Sequence, residues 1–238
     1  MVRGTMVATA ARRWTLGLGA GLVDAVYPAR CAGCGRRGCW VCADCRAMVP
    51  PFVPPWCARC GIPDERACRC AELSPDLARL RSVAPFDGWL RRSVIAFKYD
   101  DETARAACLG DLLGDILGDF GVLDGLVPVP LHPRRLRARG YNQAVLLCDR
   151  AGASLGIPVR EVLTRERETQ AQVGLGADER RANVAGAFSL APGAVVTGLR
   201  LALVDDVCTT GSTLGACAAV LTGAGAAEVV AATLAREV

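Results

Sequence analysis

Apolar residues in this chain follow two habits, short unbroken runs and helical spacing, and the two alternate. Leu201 to Val204 (LALV) carries no polar interruption, as expected of a strand covered on both faces in a parallel sheet. Gly125–Leu131, with Val127 and Val129 turned to the core, Arg81–Pro85 and Glu228–Leu234 read as further strands. Val159–Leu163 and Phe188–Leu190 read as short outer ones. Between them, Trp89–Tyr99 repeats Leu90, Val94, Ile95 and Phe97, and Glu102–Phe120 repeats Leu109, Leu112, Leu113 and Leu117; both predict helices, the glycines of the second weakening it. Helices are also expected from Gln143 to the stop at Gly156-Ile157-Pro158, from Leu214 to Ala224, and over Ala71–Leu80 behind Ser74-Pro75. Strands alternating with helices predict an α/β parallel sheet with helices on both faces.

The start of the chain is different. Residues 1–11 read as a loose tail, and Leu16–Tyr27 as a short amphipathic helix with Leu18, Leu22 and Val26 on one side. Arg12-Arg13 ahead of that apolar stretch faintly resembles an export signal, but the stretch stops at Asp24, too short for a membrane span.

Composition adds one anomaly. The chain has 238 residues, 52% hydrophobic and 22% charged, with a formal net charge of +4. That length suits one substantial domain and a small one, and the charge permits nucleic-acid contact without arguing for it. Of 13 cysteines, most crowd between Cys31 and Cys70. They form Cys31-x-x-Cys34, Cys42-x-x-Cys45, Cys57-x-x-Cys60 and Cys68-x-Cys70. A tight turn brings two thiolates of such a pair about 4 Å apart around one tetrahedral zinc. Four pairs make two sites. The simplest pairing is sequential, Cys31, Cys34, Cys42 and Cys45 on one zinc and Cys57, Cys60, Cys68 and Cys70 on the other; spacing alone also allows an interleaved pairing. Cys39 is surplus and is an alternative to Cys42. Redox chemistry is the rival reading, but it requires a single such pair opening a helix in an α/β domain. Trp40, Arg46, Trp56 and Arg59 either dock a nucleic acid or a protein, or simply cover the metal sites. Val49–Trp56, with four prolines, is a stiff connector between the two units. The chain therefore divides into residues 1–27 (tail and helix), a double zinc-ribbon module at 28–72 and an α/β domain at 73–238.

The candidate chemistry lies at the end of the LALV strand. Asp205 and Asp206 come next, then Thr209-Thr210-Gly211-Ser212-Thr213, then the Ala/Leu-rich helix. Backbone amides and hydroxyls in such a turn cradle a monophosphate at a helix N-terminus. Two adjacent carboxylates repel phosphate, and suit ribose hydroxyls or magnesium. A ligand with a 5-phosphate, a ribose and a metal-bound diphosphate fits this division. The stretch lacks the GxxxxGK[ST] and GxGxxG patterns.

Other candidates surround it. Lys98 is placed to anchor the ligand's phosphates. Arg134, Arg135, Arg137 and Arg139 read as a mobile basic loop closing over a polyanion, with planar guanidinium forks suited to phosphate oxygens. Arg137 and Arg139, followed by Tyr141, Asn142 and Gln143, are the expected diphosphate contacts. His132, the single histidine, has no partner carboxylate at an evident spacing that would make it a general base. The polar stretch from Arg165 to Val184 reads as a hood over the site, with Gln170, Arg181 and Asn183 as its contacts.

These residues carry a resemblance. LALVDDVCTTGSTL resembles the phosphoribosyl-diphosphate signature of type I phosphoribosyltransferases. Together with the cysteine pairs, Phe97-Lys98-Tyr99, VPVPLHPRRLRARGYNQA from Val127, TRERETQAQ from Thr164 and ERRANVAGAF from Glu179, it makes the chain similar to the competence protein F family. The resemblance implies a type I phosphoribosyltransferase-like sheet behind a double zinc ribbon. It implies two structural zinc ions, magnesium and phosphoribosyl diphosphate as ligands, and a cytoplasmic location. In an enzyme of this kind Asp205 and Asp206 offset charge on the sugar while Lys98, Arg137 and Arg139 bracket the departing diphosphate. The alternatives are a factor handling single-stranded DNA, alongside competence proteins, during DNA uptake, or a non-catalytic sensor of phosphoribosyl diphosphate.

Overall fold

A computed structural model of the chain describes residues 29–99, 103–167 and 186–237. The expected N-terminal tail and helix, and Gln170, Arg181 and Asn183 of the expected hood, lie outside the described residues. Four parallel strands form the main sheet in the order β1 (Arg79–Pro85), β6 (Glu228–Arg236), β5 (Arg200–Cys208) and β2 (Gly125–Pro128). Leu201, Ala202, Leu203 and Val204 are fully buried, because β5 has a strand on each side and apolar layers on both faces. Its pairing with β6 runs on to Cys208↔Arg236, so the strand carries both aspartates rather than ending before them.

One face is covered by α2 (Gly88–Tyr99), α3 (Arg105–Leu117) and α5 (Gln143–Leu155). The other is covered by α6 (Ser212–Gly223) and a small antiparallel hairpin of β3 (Leu163–Arg165) and β4 (Phe188–Leu190). No described helix is long and apolar enough to cross a membrane.

Three local expectations fail. The helix over Ala71–Leu80 does not form. A 3-10 turn occupies Cys70–Glu72, and from Arg79 the chain pairs with β6, where Leu77 and Leu80 become fully buried; pairing and burial override helical propensity. The strand at Val159–Leu163 is reduced to one bridge, Leu126↔Val159, before the chain turns away and pairs with β4 from Leu163. The arginine run is a helix, α4 (Pro133–Arg139), not a mobile loop. Pro133 begins it, His132 caps it with Nδ1 accepting from the Arg134 N–H, and Gly140 closes it in the left-handed conformation.

The cysteine-rich segment wraps the β1 edge of the sheet. Phe52 N–H donates to the Val83 carbonyl and Leu80 N–H to the Arg59 carbonyl, both at 2.8 Å. Pairing in this way removes an open strand edge. The first cysteine group and α1 (Ala43–Met48) join the core under α2 and α3, and the second joins the core under α6. The two groups therefore straddle the sheet, one on each face.

Candidate functional site

Chain reversal at the switch between β5 and β2 opens a cleft of about 780 Å³ at the C-terminal ends of these strands. Its walls include Lys98, Arg135, Arg139, Arg165, Asp205, Asp206, Thr209 and Gly211–Thr213. The sheet brings the acid pair, the hydroxyl-rich turn and α2 together from three separate stretches.

Asp206 is buried and its Oδ1 lies 2.7 Å from Lys98 Nζ. Burial works against the Lys98 ammonium, but the Asp206 and Asp205 charges outweigh it and its pKa stands above the ordinary value. Asp205 Oδ1 accepts the Asp206 N–H at 2.9 Å. Burial first, and then the Asp206 charge, push the Asp205 carboxyl up to about 7. A site that holds two carboxylates against their own repulsion is primed for a cation or for hydroxyl donors.

In the turn, Gly211 adopts φ +79, which L side chains rarely adopt, and this lets β5 pass directly into α6. Thr210 is buried with its hydroxyl 2.7 Å from that of Ser212, and it also accepts the Ser212 N–H. Thr210 thus shapes the turn from beneath, while Thr209, Gly211, Ser212 and Thr213 face the cleft.

Tyr141, Asn142 and Gln143 have structural partners. Tyr141 Oη donates to the Phe97 carbonyl at 2.6 Å. Asn142 caps α5 and donates from Nδ2 to the Val129 carbonyl at 3.0 Å, tying the helix to the loop after β2. Gln143 is buried, donates to the Phe97 carbonyl and accepts from Arg139. Together they hold the Lys98 segment against the cleft.

Arg137 is exposed and is not among the residues lining the cleft. Arg135 and Arg139 are, because residues four apart share a face of α4 and the residue between them points elsewhere. Arg139 also stacks on the Tyr99 ring, 5.3 Å from its centre. The spacing of the arginines contained this signal, but a loop assignment hid it. Arg165, whose guanidinium lies over the Phe188 ring, is a further wall residue; it begins the stretch expected to be a hood but was not among that stretch's named contacts.

The cysteines gather into two tetrads, Cys31, Cys34, Cys42 and Cys45, and Cys57, Cys60, Cys68 and Cys70, with ligand atoms within 4.8 Å of one another in each. Tetrahedral zinc with bonds of about 2.3 Å requires sulfurs about 3.8 Å apart. The Cys34–Cys42, Cys60–Cys68 and Cys57–Cys68 pairs stand at 3.7 Å, and Cys57–Cys70 is tighter at 3.1 Å. Cys31 Sγ also accepts N–H groups from Gly33 and Cys42. The Cys60 backbone amide, followed by the Cys70 thiol, holds the Cys57 thiol down at about 6, which favours the thiolate a metal needs. The donor set fits zinc, the pairing is sequential, and Cys39 packs beside the first tetrad without joining it. The tryptophans flank this module with cationic partners, Arg105 over Trp40 at 4.5 Å and Arg81 over Trp56 at 5.2 Å.

Fold and site together define a class: a double zinc ribbon built onto the edge of a parallel α/β sheet, with an acid pair and a small-residue turn at the sheet's switch point. Comparison with known proteins agrees. The double zinc ribbon domain family matches residues 22–74. The DNA utilization protein YhgH of Salmonella typhimurium is 35% identical over 200 residues, 79% of this chain and 87% of that protein. Competence protein F of Haemophilus influenzae is 31% identical over 201 residues, with the same coverage of 79% and 87%. The chain belongs to the competence protein F family. Among solved structures, glutamine phosphoribosylpyrophosphate amidotransferase from B. subtilis overlaps 55% of this chain and 26% of its own, at 22% identity and a TM-score of 0.39. Adenine phosphoribosyl transferase from Trypanosoma brucei overlaps 68% and 61%, at 13% identity and a TM-score of 0.38.

Proposed function

We propose that the cleft binds phosphoribosyl diphosphate with magnesium, in a protein that serves the handling of DNA during uptake or utilization. The observation that carries this reading is the convergence of Asp205, Asp206 and the Thr209–Thr213 turn on one cleft whose opposite wall is cationic. The turn's amides and hydroxyls take the 5-phosphate. Asp205 and Asp206 take the ribose hydroxyls or the metal, and Lys98 leaves Asp206 for the ligand's phosphates. Arg135 and Arg139 face the diphosphate. Magnesium, when bound, supplies charge neutralisation of the diphosphate. If the phosphoribosyl group is transferred, these same cations stabilise the leaving diphosphate and the carboxylates offset charge on the sugar.

The names of the relatives favour a second role beside the first, contact with single-stranded DNA. Arg134 and Arg137 on the outer side of α4 are exposed next to the cleft. A strand tracking α4 would bind through phosphate contacts and weaken steeply with salt.

Calorimetric titration of the zinc-loaded protein with phosphoribosyl diphosphate and magnesium tests the main reading. Binding that is lost in Asp206→Asn supports it, and an absence of binding to the wild type refutes it. Diphosphate release across a panel of bases and amines separates transfer from sensing. Arg137→Ala should weaken single-stranded DNA binding and leave the sugar-phosphate affinity unchanged.

A further inference from the structure

The second cysteine tetrad and the small-residue turn are joined by a short, heavily braced segment. From Cys70 the chain makes one 3-10 turn and arrives at Leu73 and Ser74. Arg59, which lies between Cys57 and Cys60, donates to the carbonyls of Cys70 at 3.3 Å, Leu73 at 3.4 Å and Ser74 at 2.9 Å. One planar guanidinium thus clamps the segment to the knuckle that carries two of the four thiolates. Arg236, fully buried in β6, donates to the Cys60 carbonyl at 2.6 Å and fastens that knuckle to the sheet.

The other end of the segment presses on the turn. A Cβ built on Gly211 would lie 2.9 Å from Leu73 Cδ2, and one on Gly215 would lie 2.8 Å from Ser74 Cβ. Both glycines accept a close approach that a side chain would block. Leu73 is buried in the same core as Cys60, Cys208 and Leu214. Among the described residues, the first tetrad makes no contact with Leu73 or Ser74. It packs into the core on the opposite face of the sheet.

We propose that Leu73, held in place by Arg59 and the second metal site, is a positioning residue for the 209–213 turn, so that metal at the second tetrad, and not at the first, sets the turn's geometry. This rests on the reading of the turn as a sugar-phosphate cradle only for its functional consequence; the mechanical coupling stands by itself. Interior packing is dense enough to transmit a displacement of this kind.

Hydrogen exchange of the full zinc-loaded chain, followed in a peptide spanning 208–214, tests it together with metal analysis. Leu73→Ala should keep two zinc ions, speed exchange in that peptide about tenfold with little change in β6, and Leu73→Met should restore it. Cys68→Ser should loosen the same peptide, while Cys34→Ser, which empties the first site, should not. Gly215→Ala improves helical propensity and by that alone would protect the region; the coupling predicts the opposite, faster exchange. Unchanged exchange in Leu73→Ala and Gly215→Ala, or equal loosening from both cysteine variants, overturns the proposal. Should Leu73→Ala fail to fold, the contrast between Cys68→Ser and Cys34→Ser still decides. Ribose 5-phosphate titration keeps the two ideas apart: if the wild type does not bind it, the ligand reading falls, while the exchange data still judge the coupling.

Discussion

Replacing Asp205 by asparagine removes a charge that the fold holds at a cost. Asp205 shares the end of β5 with Asp206, and burial together with that neighbour raises its carboxyl from 3.8 to about 7. At about 1.4 kcal/mol per pH unit, this rise corresponds to about 4 kcal/mol of lost stability when the group is ionised. Solvent screening discounts this to about half, because Asp205 keeps some contact with solvent. We therefore expect Asp205→Asn to stabilise the ligand-free protein by about 2 kcal/mol at pH 8, or roughly 4–8 °C in melting temperature for a chain of this size. The sign follows from linkage. A carboxyl whose folded pKa is raised binds its proton more tightly in the folded state, so wild-type stability falls as pH rises from about 4 to about 7 and is level above. The variant's advantage should be complete above pH 7 and vanish near pH 4. Thermal denaturation across that range, in buffer free of magnesium and sugar phosphate, measures it. The asparagine retains an oxygen for the Asp206 N–H, so local geometry is preserved. A variant less stable than wild type at pH 8, or an advantage unaltered at pH 5, would refute the account of a strained acid pair.

Three further outcomes are expected. Metal analysis should find two zinc ions per chain and one in Cys34→Ser or Cys68→Ser; one or none in the wild type would break the tetrad assignment. Glu228→Gln should cost about 1 kcal/mol near neutral pH, because Glu228 accepts from Arg200 at 2.8 Å and Arg79 at 3.3 Å and its carboxyl is held below the usual range, Arg200 being the main cause. Such a contribution is present above the unfolded pKa and is lost as pH falls through the folded one, so chemical denaturation should show the difference disappearing in acid. Gly211→Ala should destabilise by about 1 kcal/mol from its positive φ, with more from the approach of Leu73, and should weaken ribose 5-phosphate binding. Calorimetry and melting curves together check it.

Much of the architecture was legible in the chain because it is written in local periodicity. The LALV run could only be a strand buried on both faces, and the leucines of Glu102–Phe120 could only line one side of a helix. Cysteine spacing defined the four pairs, since a C-x-x-C turn fixes the separation of its sulfurs, but which pairs share a metal was decided by the fold, which brings them together sequentially. Sequence also determined the turn after the acid pair, because glycine and hydroxyl residues at a strand end have few other uses. Three other things required the third dimension. Which arginines of Arg134–Arg139 face the cleft depended on that segment being a helix, a state set by the caps at His132 and Gly140 rather than by any apolar repeat. Lys98 meets Asp206 only because α2 passes over the end of β5, far away in sequence. The metal module straddles the β1 edge, and Leu73 braces Gly211, through contacts between segments that carry no shared pattern. Local periodicity fixes what each segment becomes; long-range packing fixes which side chains meet.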